Sequence, residues 1–96
     1  MSAYLVGHIT VRNETLWQEY VTGVRESLSP FESKIIFRGK LDSVLAGTHH
    51  HDLVVVIEFA DLATLNSWFR SEKYQSLIPI RDKAADVVIT TYESVV

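Results

Sequence analysis

The chain has no cysteine, one methionine and two prolines among its 96 residues. Without cysteine there is no disulfide framework, no thiol nucleophile and no thiolate metal site. Cationic residues are also in short supply, with nine Lys and Arg against twelve Asp and Glu for a formal charge of −3. Nucleic-acid binding rests on many Lys and Arg contacts to phosphate, so this balance argues against a nucleic-acid partner. No apolar run approaches the ~20 residues that a membrane-crossing helix needs. Met1-Ser2-Ala3-Tyr4 leads straight into a strand pattern, with neither a basic n-region nor a long apolar h-region. No membrane association is therefore expected, and a cytoplasmic location is. Gly-rich phosphate loops, nucleophile elbows and catalytic-triad spacings are missing as well, and no cofactor is implied.

What remains is an ordinary globular composition, 47% hydrophobic and 22% charged. No Pro/Gly-rich linker or internal repeat divides it, so one domain over residues 1–96 is expected. A chain this small buries only roughly two-thirds of its unfolded surface, and pairing with a second copy would help it.

Tyr4–Val11 reads as a strand, with Tyr4, Val6, His8 and Thr10 on one face and Leu5, Gly7, Ile9 and Val11 on the other. Asn13 is a natural N-cap, and Trp17, Val21, Val24 and Leu28, with Leu16 and Tyr20, give an apolar stripe at helical spacing. Ser29-Pro30 ends that helix. A second strand is expected over Lys34–Ala46, bent at Arg38-Gly39-Lys40, where glycine marks a bulge. Gly47–Asp52 follows as a polar turn. Leu53–Phe59 makes a third strand, and Asp61 caps a second helix with a buried stripe of Leu62, Leu65, Trp68 and Phe69. A short turn carries Tyr74 and Leu77, Pro79 opens or closes a brief helical turn before Ala84-Ala85, and β-branched Val87–Tyr92 makes the last strand.

The order β-α-β-β-α-β predicts a ferredoxin-like α+β fold, one antiparallel sheet with two helices on one face. Leu53–Ile57 is apolar on both faces, whereas a strand with one solvated face alternates. If Leu53, Val55, Ile57 and Phe59 face the helices, Val54 and Val56 need another cover. A second copy of the chain supplies it most simply, sheet to sheet, in a homodimeric α+β barrel.

The same residues carry a family likeness. The chain resembles the small dimeric α+β barrel proteins of domain-of-unknown-function family 1330 through its Tyr4-led strand, Tyr20, Arg38-Gly39, Val56-Ile57-Glu58-Phe59, Ser71-Glu72-Lys73-Tyr74-Gln75, and Arg81 with Ala84-Ala85. Lys40, Ala60 and His49-His50-His51 depart from that pattern. The resemblance implies the fold and the dimer but no reaction. The wider superfamily spans cofactor-free monooxygenases, isomerases, haem-degrading proteins and ligand-sensing modules, and fold alone does not choose among them.

Chemistry is confined to a few positions. Glu58 ends an apolar strand, where a carboxylate is either paired, with Arg38 or Arg81, or available for proton transfer. His8 is the other candidate proton carrier, beside Gly7, whose missing side chain would allow the close approach of a ligand. Arg38 and Arg81 suit anchoring of an anionic ligand group through a planar fork. Tyr74 and Arg81 are expected at the mouth of a pocket, with Trp68 as a wall and Tyr20 as a further ligand contact. His49-His50-His51 reads as a solvated turn and not a metal site, because consecutive histidines in a turn point in alternating directions. Two readings stay open. One is a protomer cleft that binds a small organic acid or phenolic compound. The other is a cofactor-independent enzyme, monooxygenase- or isomerase-like, using Glu58 or His8.

Overall fold

Two side-chain caps start the main helices. Asn13 Oδ1 accepts from the Leu16 amide at 3.0 Å, and helix α1 runs Glu14–Leu28. Asp61 Oδ1 accepts from both the amide and the hydroxyl of Thr64 at 2.7 Å, and helix α2 runs Leu62–Arg70. Each cap satisfies an amide that has no partner within its own helix. In the computed structural model, which describes residues 1–95, strands β1 (Ala3–Val11), β2 (Ser33–Lys40), β3 (Leu53–Phe59) and β4 (Ala85–Glu93) form one antiparallel sheet. Their order is β2-β3-β1-β4, the ferredoxin-like α+β arrangement. The segment after α2 is helical, as α3 (Glu72–Gln75), where a short turn was expected, and α4 (Ile78–Ala84), where a brief helical turn was expected at Pro79. Pro79 stands at the start of α4, where its missing amide costs nothing.

The sheet has two different faces. Leu5, Ile9, Ile57 and Phe59 turn towards the helices and are buried together with Leu28, Leu65 and Trp68. The other face carries Tyr4, Val6 and His8 of β1, Val54, Val56 and Glu58 of β3, and the β4 residues in register with them, Val88, Thr90 and Tyr92. Phe37, Val88 and Tyr92 are 54, 48 and 55% exposed there, so the apolar open face expected from Leu53–Ile57 exists. The molecule is only 16 Å thick, the depth of one sheet and one helical layer.

Two expectations are corrected in β2. The strand ends at Lys40, and residues 41–52 form a loop, not the second half of a strand. Lys40 pairs with Leu53, the first residue of β3, so the chain beyond it has no ladder partner. Leu41 N donates to Asp52 O at 2.6 Å and closes the loop, and Gly47 takes a left-handed φ of 82° at its tip. The bulge is not at Gly39 but at Ile36, between the pairs Ile35–Ile57 and Phe37–Val56. Gly39 answers a different need. A Cβ there would come within 2.7 Å of the Phe37 ring, which lies across the strand at that point. Phe69, expected in the core, is 36% exposed at the end of α2.

Candidate functional site

The helix face of the sheet has a missing side chain at its centre. Gly7 sits on the central strand between Val55 of β3 and Ile89 of β4, and a Cβ at Gly7 would stand 3.1 Å from Val55 Cγ1. Above it, α1 packs mainly against α4 and not down onto the strands. The result is a cavity of about 230 Å³ between α1 and the sheet. Its walls are Leu5, Ile9, Val55, Ile57, Val87 and Ile89 from the strands and Trp17, Val21 and Val24 from the helix. An engineered apolar cavity of about 150 Å³ takes benzene, so this volume suits a larger, bicyclic ring system.

Polar groups enter at two places. Arg25 of α1 and Arg38 of β2 line the cavity and are exposed, which puts them at its opening. The bulge at Ile36 decides this for Arg38. By displacing the register one residue, it pairs Arg38 with Val55 on the helix side and leaves Phe37 with Val56 on the open side. Neither arginine has an ion-pair partner among the described residues.

The second polar group is the hydroxyl pair of Tyr20 and Tyr74, 2.9 Å apart, both lining the cavity and both buried. Arg81 Nη1 donates to Tyr74 Oη at 3.0 Å from outside the cavity wall. Arg81 also donates to Asp82 at 3.2 Å. Burial pushes the Tyr20 hydroxyl well above its ordinary range, with the neighbouring Tyr74 adding to the shift, so it remains protonated. Trp68 stacks on Tyr74 with ring centroids 4.4 Å apart, and its indole Nε1 donates to Ser27 Oγ at 2.9 Å. Tyr74 is thus at the closed end of the cavity, not at a pocket mouth, and Arg81 stands behind it.

The seven residues singled out from the sequence fall into two groups. Tyr20, Arg38, Trp68 and Tyr74 line the cavity, and Arg81 reaches it through Tyr74. Glu58 and His8 lie on the opposite face of the sheet. Glu58 Oε2 accepts from the hydroxyl of Tyr4, its cross-strand partner, at 2.8 Å and pairs with neither Arg38 nor Arg81. That bond to a carboxylate holds the Tyr4 hydroxyl above its ordinary pKa. His8 meets His49 at a ring separation of 4.9 Å, His49 meets His51 at 5.9 Å, and His51 Nδ1 lies 2.9 Å from Thr10 Oγ1. Burial lowers the His8 pKa, and the two neighbouring histidines lower it further. Among the described residues no three His, Asp or Glu side chains are placed to hold a metal ion.

Gly7, Trp17, Arg25 and Ser27 also belong to the site or its support, and of these only Gly7 was marked in the sequence, as a place for the close approach of a ligand. Gly7 carried a signal, a glycine inside a strand. Trp17 looked like any other residue of the apolar stripe, and nothing marked Arg25 or Ser27.

A ferredoxin-like α+β layer with an apolar cavity beneath its long helix defines the class. A family model described as domain of unknown function DUF1330 matches residues 2–95, and the chain belongs to that family. No curated protein matches it. Among solved structures, the chain is similar to a protein of unknown function from Rhodopseudomonas palustris, at 15% identity and a TM-score of 0.83, covering 98% of this chain and 82% of that one. It is also similar to a dimeric ferredoxin-like protein of unknown function from Jannaschia sp. CCS1, at 11% identity and TM-score 0.68, covering 98% and 100%. The cofactor-independent oxygenase SnoaB of Streptomyces nogalater aligns at 6% identity and TM-score 0.70, covering 97% and 92%. At these identities the likeness is one of fold.

Proposed function

We propose that the protein is a homodimer, each protomer of which holds a small, largely apolar organic acid or phenolic compound in the cavity under α1. One observation carries this reading: a hollow of about 230 Å³ walled by aliphatic and aromatic side chains, with two unpaired arginines at its opening and a hydroxyl pair at its closed end. Small-molecule sites are typically apolar concavities with a few convergent polar groups. Arg38 and Arg25 serve the acidic end of the ligand, Trp68 and Tyr74 the ring. Glu58 and His8, on the far side of the sheet, have no part in this binding. The homodimer is supported by the open apolar face and by neighbours of the same fold that are dimeric.

Thermal unfolding in the presence of naphthoate tests the reading. A ligand at 100 times its Kd stabilises by about 2.7 kcal/mol. In a domain of this size each kcal/mol moves Tm by about 4–8 °C. A rise of roughly ten degrees or more is therefore expected at saturation. Arg38→Ala is expected to weaken naphthoate about fivefold, the upper range for an exposed ion pair. Absence of any shift with naphthoate and naphthol up to their solubility limits would refute the proposal.

A further inference from the structure

The two tyrosines and the arginine at the closed end of the cavity hold one proton too many. Arg81 can only donate, and it donates to Tyr74 Oη. Between Tyr20 and Tyr74 there is one hydrogen bond, which uses one of the two hydroxyl protons. Among the described residues neither hydroxyl makes a further hydrogen bond, so one O–H is always left over. Both side chains are buried, Tyr74 fully, and both border the cavity. Buried donors are normally paired, and leaving one unpaired is costly.

The direction of the chain follows from the charge at its end. A guanidinium that donates to Tyr74 draws electron density from its oxygen and makes its own O–H the better donor. Tyr74 then donates to Tyr20, and Tyr20 is left to donate into the cavity. We infer that the site selects a ligand with a neutral acceptor oxygen, such as a ring carbonyl, at its inner end, held by the Tyr20 hydroxyl, with any carboxylate pointing outwards to Arg25 and Arg38. This rests on the binding reading above and adds an orientation and a chemical class to it. Because burial keeps Tyr20 protonated, it serves as a donor and never as a base. An anion at the inner end would be desolvated with no cation in the cavity lining there, since Arg81 stands behind the two hydroxyls. An alkylammonium would present no acceptor at all. Arg81 is a positioning residue here, acting through two hydroxyls.

Three compounds of one shape separate these features: indane, with no polar atom; indanone, with an acceptor; and aminoindane, a cation. Trp17 and Trp68 both line the cavity, so their fluorescence reports occupancy without a label. In the wild-type protein indanone is expected to bind about tenfold more tightly than indane, the upper range for one neutral hydrogen bond, and aminoindane more weakly than either. The infrared carbonyl stretch of bound indanone shifts to lower frequency than in hydrocarbon solvent. In Tyr20→Phe the preference for indanone falls to about threefold or less and the infrared shift shrinks, while indane binds as before. Arg81→Met gives an intermediate preference with indane again unaffected, a pattern that a purely structural role would not produce.

Equal binding of indane and indanone to the wild type overturns the inference and leaves the cavity reading standing. So does an unchanged preference in Tyr20→Phe. Failure of both compounds to bind overturns the cavity reading itself. Should Tyr20→Phe not fold, the wild-type preference and the carbonyl shift decide alone.

Discussion

Replacing Ser27 by alanine removes one oxygen atom and tests how the closed end of the cavity is held. Ser27 is 1% exposed, donates to Val24 O at 2.7 Å and accepts from Trp68 Nε1 at 2.9 Å. The bond to Val24 is expendable, because that carbonyl also belongs to the α1 ladder. The bond from Trp68 is not, because the indole is itself 1% exposed and has no second acceptor. An orphaned buried donor costs about 1–3 kcal/mol. Alanine returns up to roughly 0.5 kcal/mol by its better helix propensity. The net loss is about 0.5–2.5 kcal/mol, against a total of about 5–14 kcal/mol for a chain of this length. At about 4–8 °C per kcal/mol, a loss of 1.5 kcal/mol lowers Tm by roughly 6–12 °C. Urea unfolding at fixed protein concentration supplies the free energy. Trp68→Phe is the companion variant. It deletes the donor, so Ser27→Ala should cost about 1–2 kcal/mol less in that background than in the wild type. Equal costs in both backgrounds, or a Ser27→Ala protein as stable as its parent, would show that the indole bond is not what pins Trp68.

The remaining predictions concern the open face of the sheet. Because burial holds the His8 pKa below its ordinary value of 6.5, the folded protein resists protonation there while the unfolded chain accepts it. Stability should therefore be flat above about pH 7 and fall as pH drops through 6.5 towards the folded pKa, and His8→Asn should flatten that slope. Urea midpoints measured from about pH 7.5 down to pH 5 check this, and an identical slope in the variant would sink the assignment. Sedimentation of the wild type should give twice 10.9 kDa. Phe37→Glu, at a side chain 54% exposed on the open face, should return the mass to 10.9 kDa without unfolding the protein. A wild-type monomer at about 10 μM, well above the Kd of a stable homodimer, would refute the pairing argument.

Much of the fold could be read from local chemistry. Asn13 and Asp61 are short polar side chains just before helical stripes, and both cap as expected. Leu53–Ile57 is apolar on both faces, and the extent of its strand, Leu53–Phe59, was read correctly. The bulge at Ile36 was not legible, because Ile35-Ile36-Phe37 is a run of good strand formers. The extra residue is fixed by the pairing of β2 with β3 across the sheet, not by any residue within it. The Tyr4–Glu58 bond was missed for a related reason. Periodicity puts both on the open face, but nothing local says that residues 54 apart are cross-strand partners. The cavity is hardest of all to anticipate, since a hollow is defined by where α1 does not pack. Its one local sign was Gly7, which suggested a close approach of a ligand without saying from which side.

The bulge at Ile36 also bears on how this chain can change over evolutionary time. Point substitutions at positions 37 and 38 act separately, one on the open face and the other on the cavity rim. A single-codon deletion at Ile36 would disturb neither: it would remove the extra residue and leave Phe37 opposite Val56 on the open face and Arg38 opposite Val55 on the helix side. Straightening the strand with Ile36 retained would do the opposite, pairing Phe37 with Val55 and Arg38 with Val54 and so exchanging their faces. Relatives that differ by one residue in this strand are therefore expected to differ at the bulge, the one place where a length change spares both association and ligand choice.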